Sequence, residues 1–380
     1  MHYEVISADC HLDIGWLPAT LFVDHAPPEW KARMPHVVDT PKGKAWVNGK
    51  GEHIAYVGGV GTFGREYIPG TIHRADVMAA YGLYDDGKRG ILRLADPERR
   101  LQDQETDGIQ AEVVYGILGI SNRMHDDEAT AVVYRIYNEY AASLWRTHPE
   151  RFAGLGCIPN HDVAQAAAEV RRAVALGMRG VEFNVSTARY PLWHPYWEPL
   201  WEAVEECHVP ISFHTLGVGT ELPEDVSPTV RLAAQATRLT EFQMAMARHL
   251  AAVIFGGVLE RHPRLQVVLA ESGIGWIPYV LERMDYEWED QFQALELTMK
   301  PSAYWHRQMY ATFQQDATGI RLLDLLGEDR IMWGSDFPHP DGLWPESRQF
   351  IARQLGHLPA ATRRKIVCEN AAKLYGFPLS

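Results

Sequence analysis

The amino-acid sequence predicts an α/β protein, a (β/α)8 TIM-type barrel with a long insertion after its first strand. Eight short apolar or β-branched runs recur along the 380 residues, and most are followed by a longer stretch with helical spacing. Strands that alternate with helices indicate parallel βαβ units, and eight such units indicate closure into a barrel. Because such barrels routinely exceed about 250 residues as one unit, residues 1–380 are interpreted as a single domain.

The predicted strands are all short and apolar. They cover residues 5–8, 111–115, 152–158, 180–184, 210–214, 265–270, 309–313 and 331–334. The segments between them place apolar residues three and four apart, which is typical of helices that pack on one face. These predicted helices cover residues 127–147, 164–176, 195–206, 229–261, 277–293, 319–326 and 360–375.

The insertion covers residues 12–106. Glycine and proline are frequent in it, and aromatic residues are interleaved. A connection of this length is usually functional, so we expect a lid or a wall of the binding pocket. Within it, the glycine-rich residues 51–70 predict a flexible loop or an irregular hairpin. A phosphate-binding loop is the weaker interpretation, because no strand and helix bracket this segment.

The composition excludes several kinds of partner. The formal net charge is −13, and no run of Lys or Arg is longer than three residues, which argues against nucleic acid and anionic membranes. The chain start does not resemble a secretory signal, and no apolar run is long enough to span a bilayer. The four cysteines form no C-x-x-C pair, so a cytoplasmic location fits best. The expected partner is a small-molecule substrate, and a homodimer stays open.

Polar residues follow several predicted strands, and catalytic groups of a barrel lie at the C-terminal ends of its strands. Asp9 and His11 end the first strand, and they point to the same side because side chains alternate along a strand. The fifth, sixth and eighth strands end in His214, Glu271 and Asp336. Each has a structural interpretation when taken singly. Together, Asp9, His11, His214 and Asp336 predict one divalent metal ion, with zinc as first choice and manganese or iron as alternatives.

The motifs around these residues resemble a known family. Asp-x-His at the first strand, Pro-Ile-Ser-Phe-His at the fifth and Gly-Ser-Asp-Phe-Pro-His at the eighth are similar to the amidohydrolase-related group typified by aminocarboxymuconate semialdehyde decarboxylase. The resemblance covers nearly the whole chain. It implies a barrel, a mononuclear zinc or manganese site, and nonoxidative decarboxylation or hydrolysis of small carboxylated or cyclic substrates.

The sequence departs from that family at two positions. Asp9 stands where the family has a histidine or glutamate, whereas His214 and Asp336 match. Glu271 stands where the decarboxylases carry a histidine that acts as acid or base. A glutamate with a raised pKa can shuttle protons, and beside a metal it can become a ligand; a structural carboxylate is the third interpretation.

Four further residues are candidates for substrate binding. His339 lies on the loop after the eighth strand, and His73 and Arg74 lie late in the insertion, where the family often presents an arginine to a substrate carboxylate. Trp193 is one of several aromatic residues near the loops that could form an apolar wall. The alternatives are a turn residue for His339 and a charged surface pair for His73 and Arg74.

The sequence favours a metal-dependent hydrolase in which Asp336 or Glu271 deprotonates metal-bound water. The first alternative is a nonoxidative decarboxylase in which Glu271 protonates the carbon that loses carbon dioxide. A non-catalytic barrel that binds a ligand is the alternative of another class. A serine hydrolase is disfavoured because no G-x-S-x-G motif is found. A Rossmann oxidoreductase is disfavoured because Gly58, Gly59 and Gly61 neither follow a buried strand nor open a helix.

Overall fold

The computed structural model describes residues 2–215, 223 and 225–379. Its strands are β1 (Ile6–His11), β2 (His36–Thr40), β3 (Gly43–Val47), β4 (His53–Tyr56), β5 (Ala111–Tyr115), β6 (Phe152–Ile158), β7 (Gly180–Phe183), β8 (Ile211–His214), β9 (Val267–Ala270), β10 (Met309–Phe313) and β11 (Ile331–Trp333). Its helices are α1 (Leu21–His25), α2 (His73–Ala80), α3 (Leu83–Lys88), α4 (Pro97–Asp107), α5 (Ser121–Met124), α6 (Asp127–Trp145), α7 (Val163–Ala175), α8 (Glu198–Cys207), α9 (Pro228–Glu241), α10 (Met246–Phe255), α11 (Val258–Arg261), α12 (Ile277–Gln291), α13 (Pro301–Gln308), α14 (Ala317–Arg321), α15 (Leu323–Leu326), α16 (Ser347–Leu355), α17 (Ala360–Arg364) and α18 (Asn370–Tyr375). None of these helices is both long and apolar enough to cross a bilayer.

Eight parallel strands form the barrel in the order β1-β5-β6-β7-β8-β9-β10-β11. The ends of the sheet meet where the Asp336 N–H donates to the Asp9 carbonyl at 2.8 Å and the His11 N–H donates to the Phe337 carbonyl at 2.8 Å. Every residue of these eight strands is buried, as expected when a parallel sheet is covered on both faces. The predicted barrel is confirmed, with strand ends displaced by a few residues at most.

The helix predicted over residues 229–261 is divided into α9, α10 and α11. A 3-10 turn over Phe242–Ala245 separates α9 from α10. The Gly256–Gly257 pair ends α10, because Gly257 has a φ of +68°, a left-handed conformation that glycine adopts without strain. Apolar periodicity alone did not reveal these breaks. The division matters because α9, with no buried residue, extends beside the barrel mouth.

The insertion is more regular than its glycine content suggested. Strands β2, β3 and β4 form an antiparallel sheet, and β4 lies inside the segment predicted to be a flexible loop or an irregular hairpin. Ile54 and Ala55 of β4 are buried, and the Tyr56 N–H donates to the Gly64 carbonyl at 2.9 Å. A Cβ at Gly64 would lie 2.4 Å from the Tyr56 carbonyl oxygen. This glycine therefore permits a close approach of two backbone segments instead of providing flexibility.

A buried ion pair joins the last helix of the insertion to the barrel. Arg100 on α4 donates from Nε to Glu112 Oε1 at 2.8 Å and from Nη2 to Glu112 Oε2 at 2.9 Å, and both side chains are fully buried. Gln104 also donates to Glu112 at 2.7 Å. The remaining Arg100 nitrogen donates to the backbone carbonyl of His11 at 2.8 Å. Helix α4 therefore fixes the end of the strand that carries Asp9 and His11.

Asp107, the last residue of α4, should make stability depend on pH. Burial raises the pKa of Asp107 to about 6, although its carboxylate accepts hydrogen bonds from the Ser347 N–H and hydroxyl. The folded state binds this proton more tightly than the unfolded chain does. The contribution of Asp107 to the free energy of unfolding is therefore highest below pH 4 and falls as the pH rises to about 6. Asp107→Asn should remove this loss, raising the free energy of unfolding at pH 7.5 by up to about 3 kcal/mol.

Urea unfolding at pH 4.5 and 7.5 measures this effect. The control is Asp39→Asn, because the Asp39 side chain is 90% exposed and a surface change of this kind usually alters stability by less than about 0.5 kcal/mol. An Asp107→Asn variant with the same pH dependence as the parent protein would show that Asp107 does not titrate in this range.

Candidate active site

The four predicted metal ligands lie together at the C-terminal ends of the barrel strands. Asp9 Oδ1 is 3.3 Å from His11 Nε2 and 3.4 Å from His214 Nε2. Asp336 Oδ1 is 3.1 Å from the same His11 nitrogen. All four side chains are buried. Strands β1 and β8 and the segment after β11 therefore direct two imidazoles and two carboxylates at one point.

Several atoms of this cluster have no hydrogen-bond partner among the described residues. They are His11 Nε2 and both carboxylate oxygens of Asp336. Asp336 Oδ1 and His11 Nε2 lie 3.1 Å apart, but this contact lacks the geometry of a hydrogen bond. Because buried polar atoms are nearly always hydrogen-bonded, this arrangement requires an explanation. A cation at their convergence supplies one, because it would bind all three atoms at once.

The neighbours of the cluster orient its donor atoms. His214 Nδ1 lies 2.9 Å from the Thr215 carbonyl, which places the proton on that nitrogen and leaves Nε2 free to bind an ion. Asp9 Oδ2 accepts the Thr312 hydroxyl at 2.8 Å and the Glu271 N–H at 3.1 Å. Oδ1 of Asp9, the oxygen nearest both histidines, is left for a ligand. The donor set therefore fits a divalent metal ion.

The electrostatics of the cluster also favour a cation. Burial opposes a charge on His11, as does the nearby His339, but the carboxylates of Asp336 and Asp9 outweigh both and raise the pKa of His11 to about 9. Burial alone would raise the pKa of Asp9, yet His214 and His11 hold it below its ordinary value. A metal ion can replace the positive charge that a proton carries on His11.

His339 lies directly against the cluster, on the loop after β11. Its Nδ1 is 3.0 Å from Asp336 Oδ1, and its ring stacks on His11 with centroids 4.0 Å apart. On the other side, Nε2 lies 3.1 Å from Asp13 Oδ2 and 3.2 Å from the Thr62 hydroxyl. Asp13 was not among the predicted residues. Its place two positions after His11, which continues the alternation of β1, is the signal that could have identified it.

Glu271 and Asp336 share an uncommon backbone conformation. Their φ angles are +50° and +55°, in the left-handed region that side chains other than glycine rarely occupy. Such strain is typical of functional sites that the surrounding structure holds in place. The Glu271 carboxylate accepts the Thr215 hydroxyl at 2.8 Å. Burial, and secondarily the charge of Asp336, raise the pKa of Glu271 well above its ordinary value.

A pocket of about 430 Å³ opens beside Glu271 and His339. Its walls come from the insertion, from α9, and from the loops after β5, β8, β9 and β11. They are formed by Val60, Gly61, Thr62, Phe63, Arg65, Arg123, Thr215, Arg231, Ala234, Gln235, Arg238, Leu239, Phe242, Glu271, His339, Pro340 and Asp341. The five α9 residues from Arg231 to Leu239 recur at helical spacing, so one face of α9 forms a wall of the pocket.

Three of the predicted substrate-binding residues do not line this pocket. Arg74 donates to the carbonyls of Gly342 and Trp344 at 3.1 and 2.8 Å and forms an ion pair with Glu346, so its guanidinium supports the loop after β11. His73 is exposed at the start of α2. Trp193 is 48% exposed and packs against Gly256 at the end of α10. His73 and Arg74 were expected there from the resemblance to the family, and Trp193 from its position near the loops.

The pocket instead presents four arginines that sequence reasoning did not identify. They are Arg65, Arg123, Arg231 and Arg238. Arg231 and Arg238 are seven residues apart in a predicted helix, which would have placed them on one face. Nothing in the sequence indicated that this face would turn toward the barrel mouth, because tertiary packing determines it.

An eight-stranded parallel barrel with imidazoles and carboxylates converging at its C-terminal mouth defines a barrel metalloenzyme. The amidohydrolase family model matches residues 67–377. The chain belongs to this family and is one of its enzymes.

Two relatives of similar sequence are named as decarboxylases. The chain is 26% identical over 330 residues to the gamma-resorcylate decarboxylase of Rhodococcus jostii, an alignment covering 81% of this chain and 95% of that protein. It is 24% identical over 285 residues to the 2-amino-3-carboxymuconate-6-semialdehyde decarboxylase of Dictyostelium discoideum, covering 74% and 77%.

Solved structures share the fold. An amidohydrolase from Mycobacterium avium subsp. paratuberculosis superposes with a TM-score of 0.73 at 21% identity, covering 99% of this chain and 98% of that one. A dihydroxybenzoic acid decarboxylase from Polaromonas, with bound manganese and the inhibitor 2-nitroresorcinol, gives 0.64 at 19% identity, covering 99% and 97%. A 5-carboxyvanillate decarboxylase from Novosphingobium aromaticivorans, complexed with manganese and 4-hydroxy-3-methoxy-5-nitrobenzoic acid, gives 0.62 at 23% identity, covering 78% and 87%.

Proposed function

We propose that this protein is a metal-dependent, nonoxidative decarboxylase of an aromatic carboxylic acid. The observation that carries the proposal is the match to decarboxylases over most of their length, in a chain whose cavity places a carboxyl group, Glu271, beside the metal-ligand cluster. Hydrolysis, the first choice from the sequence, has less support, because the named relatives are decarboxylases. A non-catalytic barrel has the least support, because the chain matches the amidohydrolase family over residues 67–377 and keeps four converging donor side chains.

Asp9, His11, His214 and Asp336 would hold one divalent ion. Bound there, the ion would supply Lewis-acid stabilisation of negative charge on the substrate. Two imidazoles and two carboxylates suit manganese, iron(II) or zinc. Manganese is the first ion to test, since solved relatives contain it.

Glu271 is the proposed proton donor. Its carboxyl group reaches the pocket while the Thr215 hydroxyl fixes one of its oxygens, and its raised pKa favours the protonated form. The proton passes from Glu271 to the ring carbon that bears the substrate carboxylate. The bond between that carbon and the carboxylate then breaks, its electron pair returns to the ring, and carbon dioxide leaves. Solvent entering the open pocket returns a proton to Glu271.

His339 and the insertion would complete the site. His339, held between Asp336 and Asp13, keeps the Asp336 carboxylate ionised and in place. Thr62 and Phe63 of the insertion line the pocket, which supports a role for residues 12–106 as a cover over the substrate. A cavity of about 430 Å³ accommodates a single substituted ring and lies within the usual size of small-molecule sites.

Isotope incorporation tests the reaction class. The manganese-loaded enzyme is incubated with 2,6-dihydroxybenzoate and with 5-carboxyvanillate, in D2O and separately in water enriched in oxygen-18. We expect release of carbon dioxide, one deuterium on the vacated ring carbon and no oxygen-18 in the aromatic product. A parallel incubation with a lactone, dihydrocoumarin, supplies a bond that water can cleave, and oxygen-18 in its product acid would instead establish hydrolysis. Metal-loaded protein that binds these acids without turnover would favour the non-catalytic barrel.

Removal of the metal should abolish this activity. Dialysis against a chelator is expected to lower turnover below detection, because the ion that would stabilise negative charge on the substrate is then absent. Restoration by manganese, zinc and iron(II), each added separately at one equivalent, identifies the ion that supports turnover best. Full activity in chelated protein, with the metal content verified as absent, would refute the metal requirement.

A further inference from the structure

Strand β10 lies between two strands that lead into the site, but it supplies none of the four proposed metal ligands. In the order β9-β10-β11, Glu271 directly follows β9 and Asp336 lies three residues after the end of β11. Near the C-terminal end of β10 is Thr312, whose side chain is fully buried. Because a buried hydroxyl is nearly always hydrogen-bonded, its partners show what this strand contributes.

The Thr312 hydroxyl joins the metal-ligand cluster to the proposed proton donor. It accepts the Glu271 N–H at 2.7 Å and donates to Asp9 Oδ2 at 2.8 Å. The direction of both bonds is fixed, because a backbone N–H can only donate and the single hydroxyl proton is then left for the carboxylate. The same N–H also lies 3.1 Å from Asp9 Oδ2. Hydroxyl, N–H and carboxylate therefore form a closed triangle.

The triangle determines which oxygen of Asp9 faces the metal ion. Oδ1 lies 3.3 Å from His11 Nε2 and 3.4 Å from His214 Nε2, on the side of the other ligands. Oδ2 is held by the Thr312 hydroxyl and, at the longer distance, by the Glu271 N–H. A hydrogen bond to a charged carboxylate is strong and directional. Groups that hold a ligand in this way contribute to the affinity for the metal.

The backbone of Glu271 is held by the same hydroxyl. Its φ of +50° is a conformation that persists only where the surrounding structure holds it. On the C-terminal side, the Asp316 carboxylate accepts the N–H groups of Ile274 at 2.7 Å and Gly275 at 2.6 Å. At Glu271 itself, the Thr312 hydroxyl makes the shorter of the two bonds to the N–H. Loss of the hydroxyl would therefore release the strained residue on one side.

We infer that Thr312 is a positioning residue for both parts of the site. Its hydroxyl orients the Asp9 carboxylate toward the ion and fixes the backbone from which the Glu271 side chain reaches the pocket. Thr312 is not part of the pocket wall, so it acts through these two residues. The part that concerns Asp9 depends on the metal-ligand cluster alone, whereas the part that concerns Glu271 rests on the proposed function.

Two pairs of proteins that differ mainly by this hydroxyl test the inference. The parent enzyme and Thr312→Val have side chains of nearly equal size, and Thr312→Ser and Thr312→Ala form a smaller pair. Each protein is freed of metal and titrated with manganese in competition with a chelator. Within each pair, loss of the hydroxyl should weaken manganese binding about tenfold to a hundredfold, while Thr312→Ser should stay within about threefold of the parent enzyme.

Turnover at saturating manganese separates the effect on Glu271 from the effect on the metal. With 5-carboxyvanillate, kcat of Thr312→Val should fall at least about tenfold, because a misplaced general acid loses part of a contribution of roughly a hundredfold to ten-thousandfold. Thr312→Ser should recover most of this loss. Absence of turnover in the parent enzyme would refute the proposed function and the part that concerns Glu271. The manganese affinities would still decide the part that concerns Asp9.

Thr130→Val is the control for loss of a buried hydroxyl elsewhere. Thr130 is buried on α6, and its hydroxyl donates to the Asp126 carbonyl at 2.7 Å, outside the metal-ligand cluster and the pocket wall. This variant should keep the manganese affinity and the turnover of the parent enzyme. Manganese affinities that follow the size of residue 312 instead of its hydroxyl would overturn the inference, as would an equal loss in Thr130→Val. If Thr312→Val fails to fold, the serine and alanine variants decide.

Discussion

Glu271→Gln should lower turnover by about a hundredfold or more while the metal stays bound. The glutamine keeps the size of the side chain and can still accept the Thr215 hydroxyl, which lies 2.8 Å from the carboxylate. It removes the titrating group, and loss of a general acid typically costs a factor of about a hundred to ten thousand. Turnover with 5-carboxyvanillate, together with metal analysis of the same sample, measures both quantities.

Asp341→Asn is the matched control for this variant. Asp341 lines the same pocket, so this substitution makes the same change from a carboxyl to an amide while the proposed proton donor stays in place. Because the charge of Asp341 is only a secondary cause of the raised pKa of Glu271, after burial and Asp336, we expect less than a tenfold loss. Loss of metal along with activity in Glu271→Gln would make Glu271 a ligand. Retention of both would make it structural and transfer the proton-transfer role to Asp336.

His214→Ala should leave the enzyme nearly free of metal and inactive. The substitution removes a neutral donor whose Nε2 is turned toward Asp9 by the hydrogen bond at Nδ1. Loss of a residue that only supports a ligand typically weakens metal binding about ten- to a hundredfold, so loss of the ligand itself should cost more. Metal content after dialysis, measured by elemental analysis, gives the result.

His262→Ala separates loss of a ligand from loss of a buried histidine. His262 is buried and lies 2.9 Å from Glu198 and 3.5 Å from Glu205, outside the metal-ligand cluster. This variant should be less stable than the parent enzyme yet keep its metal. One ion per chain in dialysed His214→Ala would exclude His214 as a ligand.

The sequence was sufficient to predict the barrel and to place its ligand-bearing strand ends. Each barrel strand is a buried apolar run, so its position depends on local composition that can be seen without a structure. Asp9 and His11 share a face because strands alternate, and the closure of the sheet then brings His214 and Asp336 to them. These inferences require only the regular alternation of side chains along a strand and the closure of the barrel.

The pocket wall could not be predicted in the same way. Arg74 was expected near substrate, yet the carbonyls of Gly342 and Trp344 take its guanidinium. Arg123 reaches the cavity because a buried side chain from the insertion sheet, Asn48, holds its backbone 75 positions away. Contacts between distant, irregular segments depend on tertiary packing, for which a single sequence carries no periodic signal.

The hydrogen bonds of Arg100 show which part of the insertion can be exchanged, whether by evolution or by protein engineering. By chain position α4 belongs to the insertion, but its arginine neutralises Glu112 inside the barrel and holds the carbonyl of His11. A chimera that replaces α4 would leave the buried Glu112 carboxylate without its arginine partner, a change that typically costs about 3–5 kcal/mol of stability. Grafts that bring in another substrate preference should therefore end before Arg93, which pairs with the buried Asp103 of α4, and should keep Arg74, which supports the loop after β11. Most of the insertion can therefore be exchanged to change substrate preference, whereas α4, its final helix, belongs structurally to the barrel.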